Sequence, residues 1–260
     1  MLNSDPVLIE LHQGVFTITL NRPKANAFND EMVRQTQAAL KQAATDSQIR
    51  CVLMTAKGKV FSAGQDVTAV VDVEGYSYRR HLINSYNPII LQIRRLEKPV
   101  LAAINGSVAG AALGIVLSCD LRIAAEDSRF VVGFSGIGLS TDSAVSLLLP
   151  AVIGLGRAAE FTFTNQPITA QQALEWGIVN RITSTEQLFP QSADWAAQLA
   201  AGPIHAFGLA KRNFNKSILP HLEQVLDYEA HNQEIASKSD EHKEGLRAFL
   251  EKRLPRYSDV

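Results

Sequence analysis

The sequence predicts an α/β layer fold in its first part and a set of packed helices in its last part. Up to about residue 140, short apolar runs typical of strands alternate with segments whose apolar residues recur at helical spacing. Beyond Ser140 the segments are helical and are interrupted by proline and glycine. The chain has 260 residues, of which 46% are hydrophobic and 20% charged, so it is long enough to bury a sizeable core.

The first elements form a strand, helix, strand unit. Residues 7–11 and 15–20 flank Gly14, and the alternation of side chains in residues 15–20 predicts a hairpin or a pair of adjacent strands. Asn29 or Asp30 can cap the helix that follows, because its apolar positions recur at helical spacing. Residues 50–55 then predict a buried strand.

A second unit repeats the pattern. We expect a helix within residues 75–96, a strand at 100–104 and a turn at Asn105 and Gly106. An apolar helix at 110–118 and short strands near 121–124 and 130–132 complete it.

The C-terminal third is predicted to be helical, with only residues 178–182 resembling a strand. Breaks are expected at Pro150, Gly154, Pro167, Gly177, Pro190, Gly202 and Pro220. The last helices, at about 221–236 and 240–254, carry a small apolar stripe amid many charges: Leu226, Ile235, Leu246, Phe249 and Leu250. Such a stripe is too small to form its own core, so it predicts a subunit interface.

Charge and cysteine content exclude several classes of function. Lys and Arg number 25 against 26 Asp and Glu, and the net charge of -1 provides no basic field for nucleic acid or an anionic membrane surface. The first residues lack the pattern of a signal peptide. The most apolar stretch, residues 108–117, is about half the ~20 residues that cross a bilayer. Cys51 and Cys119 have no metal-ligand spacing. We therefore expect a cytoplasmic protein with reduced thiols and no metal site.

One motif formally matches a dinucleotide-binding fingerprint. Gly154, Gly156 and Ala159 have the required spacing, and Glu175 follows about 20 residues later. The fingerprint should close the first strand of a βαβ unit, whereas Pro150 precedes this one and it lies past mid-chain. Two helices joined through glycines are the better interpretation.

Two loops that each follow a strand carry the chemical information. In residues 59–66, Gly64 allows a sharp turn that leaves backbone N–H groups able to face a ligand. In residues 105–114, small residues lead directly into a helix N-terminus, where free N–H groups favour negative charge. If the loops converge, they form an oxyanion hole. The alternative is an ordinary turn and a close-packed helix.

Four motifs together resemble the enoyl-CoA hydratase/isomerase family, also called the crotonase superfamily. They are FSAGQD at 61–66, PVLAAING at 99–106, CD at 119–120 and AxxWGIVNR at 173–181. The resemblance extends from LNRP at 20–23 to RAFLE at 247–251. It implies an α/β spiral of ββα units with the acyl-CoA site in residues 1–200, and a helical trimerisation region in residues 201–260. It also implies an acyl-CoA thioester substrate, no cofactor apart from that CoA, and a homotrimer or dimer of trimers.

The resemblance assigns the predicted site residue by residue. Gln65 and Ala111 would donate the two backbone N–H groups that hold the thioester oxygen as it becomes an enolate. Ala111 stands where glycine is commoner, and its methyl group would narrow the site. The remaining predicted binding residues are Lys24, Ala25 and Ala27 at the nucleotide end of CoA, the loop residues Ala63, Gly64, Asp66 and Gly110, and Phe134.

The chain departs from the hydratase pattern at two positions. Hydratases of this family carry two glutamates that position and activate water, and the corresponding positions here are Gly114 and Phe134. Glycine cannot act as an acid or a base, and phenylalanine would make the pocket drier. Hydration through two carboxylates is therefore disfavoured, and restoring both glutamates would be needed to create it.

Asp142 is the carboxylate that remains in the right stretch. It falls where dienoyl-CoA isomerases and ring-epoxide isomerases place a catalytic aspartate. Its apolar neighbours Phe134, Ile137 and Leu139 would raise its pKa above the usual ~3.9 and make it a better base. The alternative is that Asp142 caps a helix or supports its first turn.

The resemblance thus favours a double-bond isomerase that uses Asp142 as its base. The same position bears the nucleophilic aspartate of 4-chlorobenzoyl-CoA dehalogenase, although the histidine and tryptophan expected near the ring are replaced by Asn87 and Phe134. An atypical hydratase and a non-catalytic acyl-CoA-binding relative are also compatible with the sequence. The acyl group itself is left open by the sequence.

Overall fold

The computed structural model describes residues 5–23, 25–69 and 75–260. The strands within these residues are β1 (Val7–His12), β2 (Val15–Leu20), β3 (Cys51–Ala56), β4 (Val60–Ser62), β5 (Val100–Ile104), β6 (Ser107–Ala109), β7 (Leu121–Ala125), β8 (Arg129–Val131), β9 (Ile168–Thr169) and β10 (Arg181–Thr183). The helices are α1 (Asp30–Thr45), α2 (Tyr78–Asn84), α3 (Tyr86–Arg95), α4 (Ala111–Ser118), α5 (Val145–Ile153), α6 (Leu155–Thr164), α7 (Ala170–Glu175), α8 (Leu188–Ala201), α9 (Ile204–Ile218), α10 (Leu222–Ala236) and α11 (Asp240–Leu250).

From β3 to β8, consecutive strands alternate between two sheets, which confirms the predicted spiral of ββα units. The larger sheet has the order β1-β2-β3-β5-β7-β10, and the smaller one has the order β4-β6-β8-β9. Each pair β3-β4, β5-β6 and β7-β8 therefore places its first strand in one sheet and its second in the other. Apart from β1 with β2 and β8 with β9, all pairings are parallel.

The central strands are buried on both faces, as parallel strands covered by helices require. All five residues of β5 are buried, and one face of the sheet joins α1, α3 and α4 in the main core. The other face packs against α8 through a smaller cluster that includes Cys51, Leu53 and Trp195. Asn29 caps α1 by accepting a hydrogen bond from the Met32 N–H at 3.0 Å, as predicted.

Several predicted boundaries are corrected. The single helix expected within 75–96 is two helices that meet at Ser85. Pro88 has no backbone N–H, so it is tolerated in the first turn of α3 but could not continue α2. The break expected at Pro150 is wrong, since Pro150 lies inside α5 and its carbonyl accepts the Gly154 N–H. Pro190 likewise lies in the first turn of α8, where its missing N–H is unneeded.

The strand expected at 178–182 begins only at Arg181. The residues before it instead bind Arg122, whose guanidinium donates to the Ile178 carbonyl and whose backbone N–H donates to the Asn180 side chain. The glycine motif at 154–159 joins α5 to α6, so the prediction of two helices is confirmed.

The C-terminal helices pack on the core but leave apolar side chains exposed. In the apolar stripe predicted from sequence, the assignment of Leu226 to an interface is wrong, because its side chain is buried within its own chain. Leu246 is half-buried, whereas Ile235, Phe249 and Leu250 are exposed. In the described parts of the chain, no helix is both long and apolar enough to cross a membrane.

Candidate active site

A cavity of about 590 Å³ gathers most of the residues predicted from sequence. It is lined by Ala25, Ala27, Ala63, Gln65, Asp66, Gly110, Ala111, Phe134 and Asp142, together with residues of α2, α3 and α11. Gly64 lies beneath this surface, between the loops that meet there. Lys24 lies outside the described residues.

The two predicted loops converge because the strands that precede them are neighbours. β4 and β6 pair in parallel, so the chain leaves both strands at the same edge of the small sheet. Gly64 has φ +82°, and a Cβ there would lie 2.7 Å from the Ala109 carbonyl oxygen. Only glycine permits this approach, which brings the 63–66 loop against the start of α4.

Two backbone N–H groups are left available at this junction. Phe28 forms a parallel bridge with Gln65 through hydrogen bonds to Gly64 and Asp66, so the Gln65 N–H points to the opposite side. Ala111 is the first residue of α4, where an N–H has no acceptor within the helix. Neither N–H donates to an acceptor among the described residues. The pair can therefore stabilise negative charge on a ligand oxygen.

The side chain of Gln65 is fixed by two donors. The Tyr86 hydroxyl donates to Gln65 Oε1 at 2.6 Å, and His81 Nε2 lies 2.9 Å from the same oxygen. Because an amide oxygen only accepts, His81 carries its proton on Nε2. Burial lowers the pKa of His81, so the ring is neutral at neutral pH. These contacts hold the loop that presents the Gln65 N–H.

Asp142 is buried in the wall of the same cavity, with 7% of the residue exposed. Its Oδ1 accepts from the Ser143 hydroxyl and its Oδ2 from Gln233 Nε2, each at 2.7 Å. Burial raises the pKa of Asp142 to about 6, although both hydrogen bonds act to lower it. A carboxyl with this pKa is ionised at neutral pH and can readily exchange a proton.

The proposed capping role of Asp142 is wrong. Helix α5 begins at Val145, and its N-cap residue Ala144 makes no side-chain cap. A carboxylate from α10 binds this helix start instead: Glu229 accepts from the backbone N–H groups of Ala144 at 2.8 Å and Ser146 at 2.9 Å. Asp142 is thus free to face the cavity.

Gly114 serves a different purpose from the one its place in the family pattern suggested. Among the described residues that line the cavity, Gly114 does not appear. A Cβ on Gly114 would lie 2.2 Å from the Ser143 carbonyl oxygen and 2.7 Å from Ser143 Cβ. The turn that carries Asp142 occupies the space that a side chain at position 114 would need, so a glutamate cannot be restored there without displacing it.

Phe134 and Asn87 replace the side chains of the family pattern, but only Phe134 of the two lines the described cavity wall. Phe134 lines the cavity, as predicted. Asn87 is buried and donates through Nδ2 to the Leu226 carbonyl at 3.2 Å, and it is not part of the described cavity wall.

The second carboxylate in the wall is that of Asp66, which forms a salt bridge of 2.7 Å with Arg22. Partial burial acts to raise the pKa of Asp66, but hydrogen bonds from Thr68 and Arg22 lower it below its usual value.

Residues beyond position 200 complete the cavity. Phe249 of α11 lines its mouth. His242 of the same helix lies 3.0 Å from the Tyr78 hydroxyl, and its Nδ1 donates to the Ile137 carbonyl at 2.7 Å. These contacts connect α11 to α2 and to the loop after β8.

A second cleft, of about 350 Å³, adjoins the cavity and shares Ala25 with it. Arg22, Lys57 and Lys59 line it and make it suitable for anionic groups. Sequence reasoning missed these cations as candidate ligands, although Lys59 is the first residue of the predicted 59–66 loop and Lys57 lies two residues before it. Among the described residues, no group of three or more His, Cys, Asp or Glu side chains could hold a metal ion.

Comparison with known proteins decides the family. The model of the enoyl-CoA hydratase/isomerase family matches residues 10–260. The chain belongs to this family. Its enzymes act on acyl-CoA, in agreement with a cavity that combines paired N–H donors with a buried carboxylate.

Individual relatives differ in their reactions. The chain is 38% identical to 1,2-epoxyphenylacetyl-CoA isomerase of Escherichia coli strain K12, over 97% of this chain and 98% of the relative. It is 36% identical to 4-chlorobenzoyl coenzyme A dehalogenase-1 of an Arthrobacter species, over 97% and 93%. A crystal structure of an enoyl-CoA hydratase from Mycobacterium avium subsp. paratuberculosis K-10 has a TM-score of 0.88 at 29% identity, covering 96% of this chain and 98% of that chain. This similarity confirms the crotonase fold of this family member.

The burial of Asp142 predicts a pH-dependent stability. Its pKa in the folded protein, about 6, exceeds its ordinary value of 3.8, so its contribution to stability is lost as pH rises through this interval. Asp142→Asn should therefore raise the free energy of unfolding at pH 8, by on the order of 2–3 kcal/mol, with little gain below pH ~4. Urea denaturation at several pH values measures this, with Asp194→Asn on the exposed face of α8 as control. An equal stability of wild type and Asp142→Asn from pH 4 to 8 contradicts the assignment.

The close contact between Gly114 and Ser143 can be tested by replacing Gly114. Alanine is favoured in helices, but a Cβ at Gly114 would overlap Ser143, so Gly114→Ala should lose about 1–3 kcal/mol of stability. Gly156→Ala is the matched control, since no atom lies within 4 Å of its added Cβ; it should be neutral or stabilising by up to ~1 kcal/mol. Denaturation midpoints compare the two, and a neutral Gly114→Ala would show that the turn does not need this space.

Proposed function

We propose that the protein is an acyl-CoA isomerase in which Asp142 moves a proton between two carbons of an unsaturated acyl chain. The observation that carries this proposal is the placement of one buried carboxylate, with a pKa near neutrality, in the same cavity as the free N–H groups of Gln65 and Ala111. The relative named 1,2-epoxyphenylacetyl-CoA isomerase supports an isomerisation of an acyl-CoA thioester.

The two N–H groups act as the oxyanion hole. Removal of a proton beside the thioester carbonyl places negative charge on the carbonyl oxygen. Donors at Gln65 and Ala111 stabilise that charge more strongly than the neutral carbonyl, and each such donor is worth about 2.7–4 kcal/mol. The enolate is therefore accessible to a carboxylate as weakly basic as Asp142.

A single carboxylate is sufficient for this reaction. Ionised Asp142 removes the proton from one carbon, holds it as a carboxylic acid, and returns it to another carbon as the double bond shifts. A pKa of about 6 lets the same group act as base and then as acid near neutral pH. No water takes part, in agreement with the apolar ring of Phe134 in the wall.

Hydration is a weaker candidate because it requires groups that both hold water and manage its proton. Dehalogenation is the second candidate. The wall contains Tyr76, Tyr78, Tyr86 and Phe134, which suit an aromatic ring, and a dehalogenase is among the relatives. In that reaction Asp142 would attack the chlorine-bearing ring carbon as nucleophile and displace chloride. Water would then hydrolyse the aryl ester and restore the carboxylate.

The CoA portion would extend from the cavity along Ala25 and Ala27 into the cleft of Arg22, Lys57 and Lys59. The three cations suit its phosphate groups. A contribution from Lys24 stays a prediction. The same proposal includes no cofactor apart from this CoA.

We also propose a cytoplasmic location, because the free, buried thiols of Cys51 and Cys119 suit a reducing compartment.

Substitution of Asp142 tests the reaction. Asp142→Asn keeps the shape of the side chain but cannot accept a proton, so it should abolish isomerisation while leaving acyl-CoA affinity within about threefold. Asp194→Asn provides the matched control and should retain full turnover. Unchanged isomerisation by Asp142→Asn would refute the proposed role.

A substrate screen separates the candidate reactions. Crotonyl-CoA, a 3-enoyl-CoA, a dienoyl-CoA, 1,2-epoxyphenylacetyl-CoA and 4-chlorobenzoyl-CoA are compared, with water uptake, shifts in diene or ring absorbance, and chloride release as readouts. We expect turnover of an enoyl, dienoyl or ring-epoxide substrate. Chloride release alone identifies a dehalogenase, and binding without turnover of any compound identifies a non-catalytic relative.

We also propose a trimer or a dimer of trimers in contact through the helices beyond residue 200. Phe214 and Ile218 of α9 lie one turn apart and are 63% and 59% exposed. Ile235 and Phe249 of the following helices are exposed as well. Large apolar side chains left exposed on consecutive helices favour a contact surface. The family resemblance supplies the number three.

Light scattering measures this assembly. The expected mass at micromolar concentration is three or six times the chain mass of 28.4 kDa. Phe214→Glu should shift the mass towards the monomer because it places a charge in the apolar contact. A wild-type protein with the mass of one chain would overturn the proposal.

A further inference from the structure

Helix α10 presents two polar side chains to the segment that carries Asp142. Glu229 and Gln233 are four residues apart, so they lie on the same face of the helix, and both are almost fully buried. Together they bind Ser140, Asp142, Ala144 and Ser146. Contacts at both ends of the 140–146 segment fix it more firmly than one contact would.

The amide of Gln233 has a defined orientation. Its Oε1 accepts the Ser140 backbone N–H at 3.0 Å, so Nε2 must point to Asp142, where it donates to Oδ2 at 2.7 Å. A donor stabilises the ionised carboxylate over the protonated acid. Gln233 therefore sets both the direction of the Asp142 side chain and the ease with which it gives up a proton.

Glu229 holds a strained stretch of backbone. Ser143 and Ala144 have φ values of 55° and 64°, in the left-handed region that residues other than glycine rarely adopt. Residues in this region are strained and persist only where the surroundings hold them. The two N–H groups that flank Val145 are bound by the Glu229 carboxylate, which also lies at the favourable end of the α5 dipole.

We propose that Gln233 and Glu229 are positioning residues for the proton transfer: Gln233 orients the carboxylate of Asp142, and Glu229 holds the left-handed turn that aims it into the cavity. The proposal rests on the function proposed above, because it assumes that Asp142 is the reacting group. It extends the active site to a helix that sequence motifs do not mark.

The pKa of Asp142 depends on the charges of the titratable groups around it. Among the described residues they are Glu229 on α10 and Tyr76, Tyr78 and Tyr86 on the side of α2 and α3, all of which feel the charge of Asp142. His81 and Asp66 also line the wall of the same cavity. Burial raises the pKa of Glu229 to about 7 and that of Tyr78 to about 12. Among the described residues, Glu229 and the cavity residue His81, whose pKa burial lowers from its usual value, titrate in the range nearest that of Asp142. Gln233 has no titratable group, so its replacement acts on Asp142 through the hydrogen bond.

The first test replaces Gln233. Gln233→Leu removes the donor, so the acid limb of the kcat–pH profile should move to higher pH by about one unit. The KM for the acyl-CoA should stay within about threefold, because Gln233 does not line the described cavity. Gln224→Leu, on the exposed face of α10, is the matched control and should leave the profile unchanged.

The second test replaces Glu229. Glu229→Gln cannot satisfy both N–H groups with oxygen, so kcat should fall on the order of 10²-fold with little change in KM. Glu223→Gln, an exposed glutamate of α10 paired with Arg95, is the control and should keep wild-type turnover. Because Glu229→Gln can also lower the folded fraction, Gln233→Leu gives the deciding result.

The titration of Asp142 separates failure of this proposal from failure of the proposed function. Carboxyl ¹³C NMR of aspartate-labelled protein, assigned with Asp142→Asn, requires no turnover. An upward shift of the Asp142 titration in Gln233→Leu supports positioning even if wild type isomerises no compound, in which case only the function fails. An unmoved titration and acid limb, with loss of thermal stability alone, would show a merely structural role and overturn the proposal.

Discussion

A carboxylate that is removed from water needs protein donors in place of the lost hydration, and much of the site follows from supplying them to Asp142. The Ser143 hydroxyl and Gln233 provide one donor to each oxygen. To accept both, the chain enters a left-handed turn at Ser143 and Ala144. That turn needs the absence of a side chain at Gly114 and the carboxylate of Glu229 at its far end. Burial of one acid thus accounts for features on α4, α5 and α10.

The proposed oxyanion hole depends on a different constraint, the parallel pairing of β4 with β6. Because both strands end at the same edge, the loop with Gln65 meets the N-terminus of α4. The bare backbone of Gly64 lets the loops approach closely. The hydrogen bonds of Tyr86 and His81 to Gln65 then hold the loop from the side of α2 and α3. The positions of the proposed donors are therefore set by backbone topology, whereas that of the proposed base is set by side chains from the helical region.

Features of this molecule that depend on residues close in the sequence can be predicted from it, whereas features that depend on distant residues cannot. The hairpin of β1 and β2, the cap at Asn29 and the glycine loops depend on neighbours in the chain, so local pattern is enough to predict them. Glu229 and Gln233 contact residues more than 80 positions away, and nothing in their local sequence distinguishes them from other polar residues of an amphipathic helix. Gly114 is recognisable in the sequence as a missing carboxylate, but its packing against Ser143 depends on the fold.

For Asp142 to act as the base, one thioester oxygen must reach the N–H groups of Gln65 and Ala111 while a carbon of the acyl chain meets the Asp142 carboxylate. A crystal structure with butyryl-CoA, a saturated acyl-CoA that has no double bond to move, tests this directly. We expect the thioester oxygen about 2.7–3.1 Å from both nitrogens and a chain carbon beside the Asp142 carboxylate, within about 3.5 Å. A thioester oxygen bound elsewhere, or an acyl chain directed away from Asp142, would contradict it.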